Sequence, residues 1–291
     1  MARSNRIRWL LVSSMAALFL LHIYYITLAG RTANPADKHD LVIIPLIGAL
    51  FCIANAVFVL GEWRALRLLL LAVTIGWIAE QVGVSTGLIF GQYHYTDALG
   101  PKLLDVPAVI PLFWFMLIYL GYIISNLMTV DVPDDVGGGD VIHQVWVAML
   151  GALIATAYDL GLDPYMASEA VNAWVWSPPP PEHLSYFGIP VQNYIGWIGV
   201  AFVILLIARA LDMRTLRRGG HPPSHLSHFK PRTAKALALV PVIFYLSFWL
   251  QHMSHNYTPP VVIISLVALG IPAMAAVSNW RRWRIGPGAD A

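Results

Sequence analysis

The chain is poor in cysteine and poor in charge. Cys52 is the single cysteine among 291 residues, so no disulfide can close within the chain and no cysteine-based metal site can be built. It lies mid-way along an apolar run and reads as core packing. Charged residues make up 12% of the sequence against 58% hydrophobic, roughly half the charge of a soluble domain. A soluble fold cannot hide that much apolar surface. No Gly-x-Gly-x-x-Gly follows a strand pattern and no phosphate loop is present, which leaves nucleotide cofactors without support. There is no repeat of fixed period, no separate soluble segment, and no feature pointing to nucleic acid.

What the chain has instead is a series of long apolar runs. A spanning helix needs about 20 mainly apolar residues, and such runs recur near 9–29, 41–60, 66–90, 106–130, 141–162, 194–211, 234–251 and 260–280. The fold class expected is all-α, a polytopic membrane bundle of about eight helices forming one integral membrane domain over 1–291. Arg3, Arg6 and Arg8 precede the first run as they would in a secretory signal. That run is longer than a normal signal core and no small-x-small cleavage site follows, so it is read as a retained helix.

With eight spans and the N-terminus inside, 15 of the 18 Lys and Arg residues fall on the cytoplasmic side, leaving Arg31, Lys38 and Lys102 outside. The positive-inside rule asks for such an asymmetry and weighs acidic residues little, so the acidic loop 131–140 does not overturn it. Both termini are expected in the cytoplasm of a prokaryotic cell, with the plasma membrane as the site of residence.

Ionisable groups inside spans are costly and should face the bundle interior or water. Glu80, in Ile75-Gly-Trp-Ile-Ala-Glu-Gln-Val-Gly, falls in the outer half of the third run. Asp159 and Asp163 are four apart and share one helix face, with Pro164 expected to close that helix. Two carboxylates side by side cannot both ionise cheaply in low dielectric, so one can hold a proton at neutral pH, as a general acid must. The competing reading for Asp159 and Asp163 is a plain helix end, with Asp163 solvated and Asp159 bonded locally. The loops Phe90-Gly-Gln-Tyr-His-Tyr and Tyr186-Phe-Gly-Ile-Pro-Val-Gln-Asn-Tyr-Ile-Gly-Trp fall on the same outer face. An interfacial aromatic belt would explain their Trp and Tyr residues but not an intramembrane Glu80.

Ten histidines invite a comparison with membrane di-iron oxygenases, which gather many histidines in helix-spaced clusters. The topology divides them, with His221, His225 and His228 inside and His94, His183, His252 and His255 outside. No single cluster collects them, and no metal site is expected.

Taken together, Glu80 with Thr86-Gly87, Phe90-Gly-Gln-Tyr-His-Tyr, Val106-Pro, Pro111-Leu-Phe-Trp, Asp159-Leu-Gly-Leu-Asp-Pro, Trp174-Val-Trp and the Tyr186–Trp197 segment resemble the CruF-type carotenoid biosynthesis proteins. These are membrane hydratases of linear carotenoid ends. The resemblance is specific between about Ile75 and Trp197. It implies addition of water across the terminal isoprenoid double bond of a ψ-end carotenoid, leaving a tertiary hydroxyl, with no cofactor. It also implies a carotenoid substrate in the bilayer, surrounding membrane lipids, and other carotenoid-pathway enzymes as partners.

Protonating a trisubstituted alkene yields a tertiary cation that needs an acid, aromatic faces and a placed water. Asp159 or Glu80 is the candidate acid, with Asp163 tuning it or holding water. Tyr93, His94, Tyr95, Trp174, Trp176, Tyr186, Asn193 and Trp197 are the candidate substrate-binding residues. An intramembrane prenyltransferase also uses Asp-x-x-x-Asp, yet this chain has one such pair and few outer cations for a diphosphate. A cyclase would begin with the same protonation, but the Pro-x-Glu-type signature of the small membrane cyclases is absent. A transporter should show interrupted spans in two matching halves, and that symmetry is missing.

Overall fold

Hydrocarbon offers no water to backbone N–H and C=O groups, so an apolar run in a bilayer must satisfy them within itself as a helix. The computed structural model follows this rule and describes residues 2–29, 39–130, 132–134, 140–219, 224–254 and 258–282. Eight helices are long and apolar enough to cross a membrane: Arg6–Thr27, His39–Leu60, Glu62–Thr86, Ile110–Val130, Val141–Met166, Val191–Arg217, Pro231–Met253 and Pro259–Arg282. The architecture is an all-α polytopic membrane bundle. Arg31, Lys38, His221, His255, Arg284 and most of the acidic loop 131–140 lie outside the described residues.

We label the helices α1 (Ala2–Tyr24), α2 (His39–Leu60), α3 (Glu62–Thr86), α4 (Ile110–Val130), α5 (Val141–Ala157), α6 (Asp159–Met166), α7 (Val191–Arg217), α8 (Pro231–Ala238), α9 (Val240–Ser254) and α10 (Pro259–Arg282). The pairs α5–α6 and α8–α9 each make one interrupted span. A helix that is apolar on every side belongs in the interior, and α4 is that helix. Its apolar stretch is 94% buried, with α2, α3, α5, α9 and α10 packed around it. Gly121 of α4 faces Gly151 of α5 so closely that a Cβ on Gly121 would strike the Gly151 carbonyl. Small residues of this kind let helices in a membrane gain contact where lipid supplies no hydrophobic drive.

The structure corrects three boundaries. The third span ends at Thr86 rather than 90, because Gly87 at φ 70° caps it in the left-handed region with its N–H on the Gly83 carbonyl. Residues 106–109 are not helical; Val106–Pro107 pairs with Lys102–Leu103 as a short hairpin, and α4 begins at Ile110. Pro164 does not close its helix but lies inside α6, and the interruption falls upstream at Tyr158. A proline disturbs the turn before it. The Ile154 carbonyl, which in an unbroken helix would accept the Tyr158 N–H, accepts the Tyr245 hydroxyl at 2.8 Å instead.

At the end of the bundle where α3 begins and α7 ends, a buried ionic cluster ties those two helices to α4. Asp212 pairs with Arg67 and, at 3.4 Å, with Arg64, and it accepts the Tyr122 hydroxyl at 2.8 Å. Arg209 reaches Gln144 and Asn126 nearby and lies over the Tyr122 ring. Most of the buried cationic charge therefore sits at one end of the bundle.

Candidate active site

Apart from Asp212, the buried acidic groups among the described residues, Glu80, Asp159 and Asp163, sit at the other end. Glu80 lies near the close of α3 and is 2% exposed. One carboxylate oxygen accepts the Trp114 indole N–H at 2.8 Å, and the other accepts the hydroxyls of Tyr95, at 2.8 Å, and of Tyr93. Space for this cage comes from glycines one turn either side of Glu80. A Cβ on Gly76 would lie 2.6 Å from Trp114 Cγ, and one on Gly83 would lie 2.6 Å from Phe90 Cδ2. The Trp114 ring in turn stacks flat on Trp197 from the first turns of α7, with centroids 3.8 Å apart and 12° between planes.

Tyr93 and Tyr95 reach Glu80 because they sit on a strand. Residues Tyr93–Tyr95 (β1) pair antiparallel with Trp174–Trp176 (in chain order β4, after the hairpin strands β2 and β3), in the register Tyr93 to Trp176 and Tyr95 to Trp174. Side chains alternate along a strand, so both tyrosines and both tryptophans point into the bundle and are buried. His94 points the other way and is exposed. The pairing is extended by Thr96 N–H on the Ala173 carbonyl and Ser177 N–H on the Gln92 carbonyl, both at 3.0 Å. Trp176 Nε1 closes it onto the Phe90 carbonyl at 3.0 Å. Burial first, then the adjacent Glu80, pushes both tyrosine hydroxyls above their usual range, so they remain protonated donors.

Asp159 and Asp163 begin α6 immediately after the interruption at Tyr158 and are 1% and 3% exposed. Asp163 accepts the Asn193 amide at 2.6 Å from the first turn of α7. Among the described residues neither oxygen of Asp159 has a hydrogen-bond partner. The two aspartates lie within electrostatic reach of one another and of Glu80. The Asp163 charge also reaches the Tyr93 and Tyr194 hydroxyls.

The fold thus brings Glu80, Asp159, Asp163, Tyr93, Tyr95, Trp174, Trp176, Asn193 and Trp197 to one end of the bundle. Tyr186 is half-buried and makes an edge-on contact with Tyr194. His94 and His183 are exposed and stand apart. His252 is fully buried, stacked on Tyr158 and close against Gly161 of α6. Trp114, Tyr158 and Tyr194 join the site without having been expected there. Trp114 lies within Pro111-Leu-Phe-Trp, but inside an apolar run an indole reads as packing.

A buried carboxylate caged by aromatic donors thus stands beside an aspartate pair at a broken helix. The chain belongs to the carotenoid biosynthesis protein family, whose model matches residues 41–272. It is also similar to the bisanhydrobacterioruberin hydratase of Haloarcula japonica, with 31% identity over 179 residues, 60% of this chain. That alignment takes in 53% of the relative, so the chain spans about half the length of the curated protein it matches. No solved structure matches it.

Proposed function

We propose that the protein is a carotenoid hydratase that adds water, without a cofactor, to the terminal double bond of a linear ψ-end carotenoid. The observation that carries this reading is Asp159, buried with no hydrogen-bond partner among the described residues yet next to Asp163 and within reach of Glu80. A buried carboxyl that no donor occupies is free to present a proton to an apolar group. Family membership supports a carotenoid as the substrate class, and the name of the archaeal relative supports hydration.

In this mechanism Asp159 passes its proton to the less substituted alkene carbon, and the positive charge develops on the tertiary carbon. The faces of the surrounding Trp and Tyr rings stabilise that charge by cation–π attraction. Glu80, whose two oxygens already accept three donors, serves as a fixed negative charge behind those rings and holds them in place. Asp163, oriented by Asn193, positions a water that attacks the tertiary carbon. The proton this water releases restores the aspartate pair, so atoms and charge balance with no redox step.

The 15 to 3 division of basic residues supports termini in the cytoplasm and the carboxylate end in the outer half of a prokaryotic plasma membrane. The protein expressed with a linear ψ-end carotenoid should give a more polar pigment heavier by one water per reacting end. Its visible spectrum should barely move, because the double bond lost lies beyond the conjugated stretch. In heavy-oxygen water without air the new hydroxyl should carry the label. An unlabelled product, or one formed only with air, overturns the hydratase reading.

A further inference from the structure

Between α5 and α10, floored by α4, runs a trough of about 470 Å³, within the roughly 300–1,000 Å³ range of small-molecule sites. Every side chain along it is apolar, among them Met128 of α4, Leu150, Ile154 and Ala157 of α5, and Ile264 and Ile271 of α10. Leu153, Val267 and Ile271 on its rim are exposed, so at these depths the trough opens sideways, where the bilayer would lie. On α10 it extends from Ile263 to Pro272, about 13 Å of helix rise.

Its position relative to the carboxylates gives the trough its meaning. Ile154 and Ala157 are on the last turn of α5, and Asp159 begins α6 directly beyond. The Ile154 carbonyl is held by Tyr245, a hydroxyl that also lies within reach of the Asp159 charge. On the α10 side, Ile264 of the trough is next to Ser265, which faces Gly161 of α6. One end of the trough therefore meets the interrupted turn that carries the aspartates, while the rest contains nothing able to donate, accept or react.

We propose that this trough seats the part of the substrate's conjugated chain nearest its reacting end, which enters laterally from the bilayer with the terminal double bond leading toward Asp159. The proposal rests on the carotenoid reading above and names where the unreactive part of the molecule lies. A stiff, linear, wholly apolar chain suits an apolar trough that follows α10 lengthwise. Such a chain loses little conformational freedom on binding, so burial of its surface is offset by a smaller ordering cost than a flexible acyl tail would incur.

The test uses cysteines at two depths of α10 in the otherwise intact protein, whose native Cys52 is fully buried. Val267→Cys lies at the trough mouth, and Met274→Cys is exposed on the same helix but outside the trough. In detergent with phosphatidylcholine, added linear carotenoid should slow labelling by an apolar thiol reagent at 267 at least fivefold and leave 274 unchanged. Equal rates with and without carotenoid at 267 overturn the proposal. So does equal protection by phosphatidylcholine alone, which would mark the trough as a seat for acyl chains. As a second arm, Ala268→Phe should cut the pigment retained by the purified protein at least fivefold, and full retention by a well-folded variant counts against the trough. Both arms read binding rather than turnover. Protection at 267 in a protein that forms no hydrated product would leave the trough standing while the hydratase reading fell.

Discussion

The indole N–H of Trp114 donates to Glu80 at 2.8 Å while the same ring lies flat on Trp197. One side chain thus links the carboxylate of α3 to the start of α7, through the central helix α4. Trp114→Phe keeps a ring for the stack but removes the donor. Leaving a buried acceptor short of a partner costs about 1–3 kcal/mol, so a loss of that order is expected in thermal or denaturant unfolding of the purified protein. Turnover should fall about tenfold as the cage around Glu80 loosens. An unchanged unfolding midpoint together with wild-type turnover would show that the bond does neither job.

Neutral amides in place of the carboxylates separate chemistry from folding. Glu80→Gln and Asp159→Asn keep shape and volume, so membrane abundance should stay near wild type while hydrated pigment disappears. His225→Ala, whose ring pairs with Glu62 at the opposite end of the bundle, should be tolerated. Full activity in both carboxamide variants would show that the site is elsewhere, whatever the reaction.

Orientation in the membrane can be read with fused reporters. Fusions after Leu60 and after Ala291 should report cytoplasm, and one within the Trp174–Pro181 loop should report the outside. A cytoplasmic signal from that proline-rich loop would reverse the arrangement.

The ionic cluster offers a stability test that does not touch the carboxylate end. Asp212→Asn leaves Arg64 and Arg67 without their carboxylate partner, and breaking a buried pair on one side costs about 3–5 kcal/mol. The expected result is a large fall in folded yield with the turnover of the surviving protein unchanged. Loss of turnover in fully folded protein would mean that the two ends of the bundle are coupled.

Eight spans were legible because hydropathy over about 20 residues is a strong signal. Their ends were less so, since Gly87 caps α3 by a backbone angle that its neighbours do not announce. Glu80, Asp159 and Asp163 could be picked out because a carboxylate in an apolar run has few reasons to be there. Trp114 could not, because an indole in such a run reads as packing. His94 was grouped with Tyr93 and Tyr95 by adjacency, whereas strand alternation turns it outward. That strand is three residues long and its partner is some 80 residues away, a pairing that short-range pattern does not encode.

The same pairing has a consequence for synthesis at the ribosome. Glu80 enters the membrane on α3 ahead of Tyr93, Tyr95 and Trp114, which follow it in the chain, so the entering helix carries an uncaged carboxylate until those residues arrive. The two tyrosines are locked in place later still, when Trp174–Trp176 emerges and zips onto them. The site is therefore completed only after the span ending at Met166 has been threaded, and a chain stalled before that point should linger at the insertion machinery as a substrate for quality-control proteolysis.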